Sequence, residues 1–190
     1  MSRPVLQVIV ASTRPSRRGS AVATWIQQLA EQHSGFDVEL VDLAHVGLPV
    51  FDEPNHPRLQ QYVHQHTQHW SATIARGDAF VFVTPEYNHS FPGSLKNALD
   101  YLSLEWADKA AGIVSYGGVS AGLRAATALK PVLAALRMIP VVEAVSIPFF
   151  AQFIDEDEAF VPNAELEAGG KAMLDEIARL TGALRTLRAA

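Results

Sequence analysis

Three arginines fall within five positions of the segment Ser12-Thr13-Arg14-Pro15-Ser16-Arg17-Arg18-Gly19-Ser20, out of fifteen basic residues in the whole chain. Hydroxyls on Ser12, Thr13, Ser16 and Ser20 accompany them. The segment follows an apolar run and precedes a helical pattern, so its charges stand at the start of a helix. A helix start offers free N–H groups and roughly half a positive charge, and a phosphate monoester carries about −1.5 to −2 charges at neutral pH. These residue types suit a bound phosphate. They also suit a helix capped by Ser20 with its arginines in water.

A second concentration follows Ala79-Phe80-Val81-Phe82-Val83 and reads Thr84-Pro85-Glu86-Tyr87-Asn88-His89-Ser90-Phe91-Pro92-Gly93-Ser94-Leu95-Lys96-Asn97-Ala98-Leu99-Asp100. Pro85 stiffens the exit from a strand, and Pro92 suits the first turn of a helix. The short loop between them can aim backbone amides at the edge of a planar heterocycle while Tyr87 or Phe91 covers part of its surface. A third segment, Ser115-Tyr116-Gly117-Gly118-Val119-Ser120-Ala121-Gly122, puts paired glycines at a strand end. They serve either close approach of the backbone to a ligand or a turn that needs positive φ. Neither G-x-x-x-x-G-K-[ST] nor G-x-G-x-x-G occurs, which removes P-loop NTPases and ordinary dinucleotide folds. Asp42, at the end of a predicted strand, is read as a polar terminus.

These segments have to be positioned by a fold, and the hydrophobic pattern supplies one. Residues 5–11 (VLQVIVA), 38–43, 79–83, 111–116 and 141–147 read as strands, the first as buried on both faces and the third as the clearest of the five. Helical patterns lie between them: Val22, Trp25, Ile26 and Leu29; residues 59–75; Leu95, Leu99 and Leu102; residues 121–136; and a last helix over 165–187. Five strands alternating with five helices predict an α/β, doubly wound parallel sheet with helices on both faces. In such sheets ligands sit beyond the carboxyl ends of the strands, which is where all three segments fall.

At 190 residues with 48% hydrophobic content, residues 1–190 are expected to form a single domain. A net charge of −5 and a pI near 5.8 argue against general attraction to nucleic acid or to a membrane surface. The absence of cysteine removes disulfides, thiolate nucleophiles, iron–sulfur clusters and cysteine zinc sites. Residues 1–4 lead into an apolar run too short for a membrane span and without a signal-peptide cleavage site, so a cytoplasmic protein is expected.

Ser-Thr-Arg after the first strand, together with T-P-E-Y-N-H-S-F-P-G-S-L-K-N-A-L-D after the third, resembles the NADPH-dependent FMN reductase family, which includes quinone, chromate and azo-dye reductases. The resemblance implies a flavodoxin-like five-stranded sheet of order 2-1-3-4-5, FMN as cofactor and NADPH or NADH as co-substrate. Hydride would pass to the flavin and on to an acceptor such as a quinone, free flavin or another small oxidant. It further implies that Ser12, Arg14 and Ser20, with the amides of Ala21 and Val22, hold the FMN phosphate. Pro85, Glu86, Tyr87 and Asn88 would line the isoalloxazine ring, with Ser115, Gly117 and Gly118 facing its other edge. Amides of the 86–88 and 117–118 segments would stabilise negative charge there. Relatives form dimers or tetramers, so a homodimer or homotetramer is expected, with Trp106 a candidate contact. No side chain is assigned a catalytic role, because hydride transfer to a flavin asks little of the protein.

Two other features are set aside. His64 and His66, read as helical, would project about 200° apart and could not share a metal. The run Asp155-Glu156-Asp157-Glu158 lacks the turn glycine of a calcium loop. The rival readings are a flavodoxin-type electron carrier and a flavin-free regulatory or scaffold protein.

Overall fold

The computed structural model describes residues 3–188; Met1 and Ser2 of the opening segment, and Ala189 and Ala190, lie outside the described residues. In chain order the elements are β1 (Val5–Val10), α1 (Gly19–Gln32), β2 (Asp37–Asp42), α2 (Leu43–Val46), α3 (Gln65–Arg76), β3 (Ala79–Pro85), α4 (Gly93–Asp100), β4 (Ala110–Tyr116), α5 (Leu123–Ala135), β5 (Ile139–Pro140), β6 (Val145–Ile147) and α6 (Ala164–Arg188). All strand pairs are parallel and the path runs β2-β1-β3-β4-β5, with β6 also paired to β4. The doubly wound order is as expected, but the sheet has six strands rather than five. The predicted fifth strand over 141–147 shortens to β6, and β5 precedes it, because the chain reaches β4 twice, first at Ala110 and Ala111 and again at Val114 to Tyr116.

Side chains in a strand alternate between faces, and here the alternation sorts the core into two layers. Leu6, Val8 and Val10 of β1, Val81 and Val83 of β3, and Val114 and Tyr116 of β4 pack with α1 and α6. Ile9, Phe80, Phe82 and Ile113 point the other way, toward Trp70 of α3, Leu95 and Leu99 of α4 and Leu129 and Leu133 of α5. Trp25 and Trp70 are core residues. So is Trp106, whose indole N–H donates to the Leu99 carbonyl at 3.2 Å, and its expected place in a subunit contact is withdrawn.

The predicted helix over 59–75 begins later, at Gln65. The chain before it is a long loop with a single 3-10 turn at Pro57–Leu59, held by the Glu53 carboxylate, which accepts from the amides of Val63 and His64. His64 is therefore the residue before the helix, not part of it. Its ring stacks on that of His66 at 5.1 Å, so the expected 200° separation does not occur, although no group of three metal-binding side chains exists among the described residues. No helix of the described residues is long and apolar enough to cross a membrane.

The turn after β4 depends on Gly122, not on the glycine pair. Gly122 has φ of +76°, and a Cβ there would lie 2.8 Å from the Tyr116 backbone nitrogen and 2.9 Å from its oxygen. Backbone cannot yield as a flexible side chain can. Gly122→Ala is expected to destabilise the fold by about 1–3 kcal/mol, read as a lowered urea midpoint with an unchanged slope.

Candidate functional site

The loops after β1, β3 and β4 meet at the carboxyl edge of the sheet. Between them lies a cleft of about 650 Å³, within the range of small-molecule sites. Its walls come from Ser12, Arg14, Ser16, Arg17 and Arg18; from Pro85, Glu86 and Tyr87; from Tyr116, Gly117 and Gly118; and from Phe149 through Gln152.

The first wall begins with Ser12, which is buried and shares a 2.8 Å hydrogen bond with the Tyr87 hydroxyl. After it the chain turns, with the Arg17 amide donating to the Arg14 carbonyl at 3.1 Å. Arg17 folds back to pair with Asp42 at the end of β2, and that carboxylate also accepts from the Ala44 amide at 2.9 Å. Asp42 is thus more than a polar terminus: it fixes one guanidinium of the loop. The Nε atom of Arg17 is buried without a partner, an orphaned donor on the cleft wall. Arg14 and Arg18 are exposed.

The start of α1 supplies open donors, but not all those expected. The Ala21 amide is taken by the Arg18 carbonyl at 3.2 Å, which leaves the amides of Gly19 and Ser20 in the first turn. No side chain caps the helix; Arg18 occupies the cap position and Ser20 lies inside. The Ser20 side chain faces a separate hollow near Trp25 and Phe160, and Val22 is buried in the core. Of the expected phosphate group, Ser12 and Arg14 line the cleft, whereas Ser20, Ala21 and Val22 do not.

The second wall is a tight hairpin. Tyr87 and Ser90 exchange both backbone hydrogen bonds, at 2.8 and 3.0 Å, around Asn88 and His89, whose φ values of 49° and 68° are left-handed. Asn88 is consequently at an exposed tip, off the cleft. Glu86 is half-buried beside the cleft and anchored sideways: Arg124 donates from Nε at 2.5 Å and from its amide at 3.2 Å, and Ser120 from its hydroxyl at 3.0 Å. Burial pushes the Glu86 carboxyl up, but the bonds from Arg124 and Ser120 outweigh it and hold the group below the usual carboxylate range.

The third wall, 117–118, is lengthened by a segment that the sequence did not flag. The Gly118 and Gly117 carbonyls accept from the Phe149 and Phe150 amides at 3.0 and 3.1 Å, and the Gly117 amide donates to Ile147 at 3.2 Å. Ser115 is buried beneath, donating to the Ala121 carbonyl at 2.9 Å. The Glu86 and Tyr87 amides are likewise engaged, with Tyr116 and Ser90. Of the amides of the 86–88 and 117–118 segments expected to face the ring, only those of Asn88 and Gly118 carry no hydrogen bond among the described residues. Phe149 is half exposed and left-handed at φ of 44°, and no sequence motif marks it.

A family model described as NADPH-dependent FMN reductase matches residues 5–152. The chain is 42% identical over 149 residues to an NAD(P)H-dependent FMN reductase of Schizosaccharomyces pombe, covering 76% of this chain and 74% of that one. It is 32% identical over 142 residues to an NAD(P)H-dependent FMN reductase of Saccharomyces cerevisiae, covering 69% and 74%. Among solved structures, the flavoenzyme NAD(P)H:(acceptor) oxidoreductase FerB of Paracoccus denitrificans superposes with a TM-score of 0.76 at 22% identity, over 95% of this chain and 98% of that one, a likeness of fold.

The Glu86 linkage has a pH signature. Because its folded pKa lies below the unfolded one, its contribution is complete above the unfolded value and fades as pH falls through the folded value. In urea titrations the stability gap between the native chain and Glu86→Gln is expected to be widest near neutral pH and to shrink below roughly pH 4.

Proposed function

The chain belongs to the NADPH-dependent FMN reductase family, and on that premise we propose that it is an FMN-dependent NAD(P)H oxidoreductase whose cofactor occupies the cleft at the carboxyl edge of the sheet. The observation that carries this reading is the convergence on one cleft of Ser12, the three arginines of the first loop, the Tyr87 hairpin and the Gly117–Gly118 backbone. The fit is chemical as well as spatial. The orphaned Arg17 Nε, the exposed Arg14 and the open amides of α1 suit a phosphate dianion. Tyr87 and the side-chain-free glycines suit a planar ring. When bound, FMN supplies the redox chemistry, taking hydride from NADPH or NADH and passing electrons to a small acceptor such as a quinone.

The protein's own part is to bind, orient and exclude water. In this reading Ser12 and Arg14 hold the phosphate, with Ser20, Ala21 and Val22 shaping the helix start behind it. Pro85, Glu86 and Tyr87 border the ring, Asn88 shapes the hairpin tip that carries Tyr87, and Ser115 sets the height of Gly117 and Gly118 opposite. Glu86 has a positioning role: its bonds to Ser120 and Arg124 lock the second wall to α5. No proton has to move through a side chain for hydride transfer, so no catalytic residue is assigned.

We further read residues 1–190 as one cytoplasmic domain that works as a homodimer or homotetramer. The long loop before α3 is tied through Gln60 and Tyr62 to Glu105, and exposes Val50, Leu59 and Val63 beside the turn carrying Leu104. Light scattering on the eluting protein is expected to give a multiple of 20.6 kDa; a single-chain mass overturns that part.

Anaerobic NADPH or NADH added to the FMN-loaded protein is expected to bleach the flavin absorbance, and a quinone to restore it. No bleaching with either nicotinamide overturns the enzyme reading in favour of a carrier. A preparation that takes up no FMN favours a flavin-free protein. Arg14→Ala is expected to raise the Kd for FMN roughly tenfold.

A further inference from the structure

Tyr116 ends β4, two strands away from β1, yet its hydroxyl lies in the loop that follows β1. Strand alternation turns the side chain to the α1 face, where it is 4% exposed and packs against Phe150 with ring centres 4.9 Å apart. From there it reaches across the floor of the cleft to the first residue of α1. A Cβ on Gly19 would collide with the Tyr116 hydroxyl, so a side chain at 19 would push that hydroxyl out of its place at the helix start. The hydroxyl thus stands at the start of α1, on the cleft that Ser12, Arg14 and Arg17 also line, while Ser12 meets the Tyr87 hydroxyl at 2.8 Å. Phenylalanine would fill the same apolar volume without carrying a polar atom to this point.

We propose that Tyr116 is a phosphate-binding residue of this site, its O–H donating from the cleft floor to the FMN phosphate beside Ser12 and Arg14. The inference rests on the FMN reading above and adds to it a ligand contact from β4. The donor state is secure at neutral pH: burial raises the phenol pKa, Tyr87 acts in the same direction, and the opposing pull of Ser12, Arg14 and Arg17 does not overcome them. A neutral phenol has one proton to give, and a dianion at a helix start is the acceptor that the surrounding charges favour. Tyr87 can then donate to Ser12 and Ser12 to the ligand, which makes the phosphate end a cluster of three hydroxyls on three different strand ends. Gly19 becomes a requirement of the same contact.

The test compares FMN with riboflavin, which lacks the phosphate. Fluorescence titration of the flavin-free protein gives both dissociation constants for the native chain, Tyr116→Phe and Gly19→Ala, the last crowding the hydroxyl from the helix side. Tyr116→Phe is expected to raise the FMN Kd roughly tenfold and to leave the riboflavin Kd within about twofold. Gly19→Ala should give the same split, and it keeps the test open if Tyr116→Phe does not fold. Equal weakening toward both flavins overturns the proposal, since Tyr116 would then act by packing or on the rest of the cofactor. Unchanged binding of both overturns it as well. Failure of the native chain to bind FMN is a different outcome, which removes the cofactor reading and this contact with it.

Discussion

A parallel sheet covered on both faces has only its edges and ends open to ligands, and everything in this molecule follows from that constraint. The two core layers take up the side chains of β1, β3 and β4 in alternation. What remains for function is the row of loops at the carboxyl ends. β1 lies between β2 and β3, and the chain leaves it in opposite directions, so its loop and that of β3 diverge around a crevice. The cleft is this crevice. Each of its walls is fastened to a neighbour by a polar link: Arg17 to Asp42, Glu86 to Arg124, and the Gly117 and Gly118 carbonyls to the Phe149 and Phe150 amides. Walls fixed before a ligand arrives spare part of the ordering cost of binding.

The same alternation explains the most consequential side chain in the site. Tyr116 lies two positions beyond Val114, whose partner Val83 pairs in turn with Val10, so it falls on the same α1 layer, and its strand ends just as that layer gives way to the first turn of the helix. A long polar-tipped side chain at that one position spans from core to cleft. One residue earlier, Ser115 faces the other way and is spent on the Ala121 carbonyl and Ser146 hydroxyl. Period two thus decides which of two adjacent polar residues can meet a ligand.

Much of this was legible in the sequence because buried parallel strands leave unbroken apolar runs, as at Val5–Val10 and Ala79–Pro85. The Thr84 to Asp100 motif carried the family. Other parts left no such trace. Residues 141–147 read as one strand because β-branched residues continue through it, yet the chain leaves the sheet between Pro140 and Val145. The segment that lengthens the third wall, Phe149 to Gln152, was invisible because it works through backbone amides and one left-handed phenylalanine, neither of which has a composition signal. The long loop before α3 misled by its polar, helix-compatible residues, since the Glu53 carboxylate that caps His64 is eleven positions away. Paired glycines drew attention to 117–118, whereas the positive φ values belong to Ala121 and Gly122.

Charge gives the last step. The chain carries a net −5, which on its own speaks against anions. Around the cleft the balance reverses: Arg14, Arg17, Arg18 and Arg124 stand against Asp42 and Glu86, leaving two positive charges. Beyond a Debye length of roughly 8 Å the acidic remainder is screened in physiological salt, so a phosphate at the cleft responds to this local set. Of the four arginines, two are already matched to a carboxylate that holds a wall in place, and those pairs cancel. The surplus rests on Arg14 and Arg18, which are exposed and free to close on a ligand, and it equals the charge of a single phosphate monoester. The ion pairs therefore build the walls, and the two unmatched arginines supply the attraction.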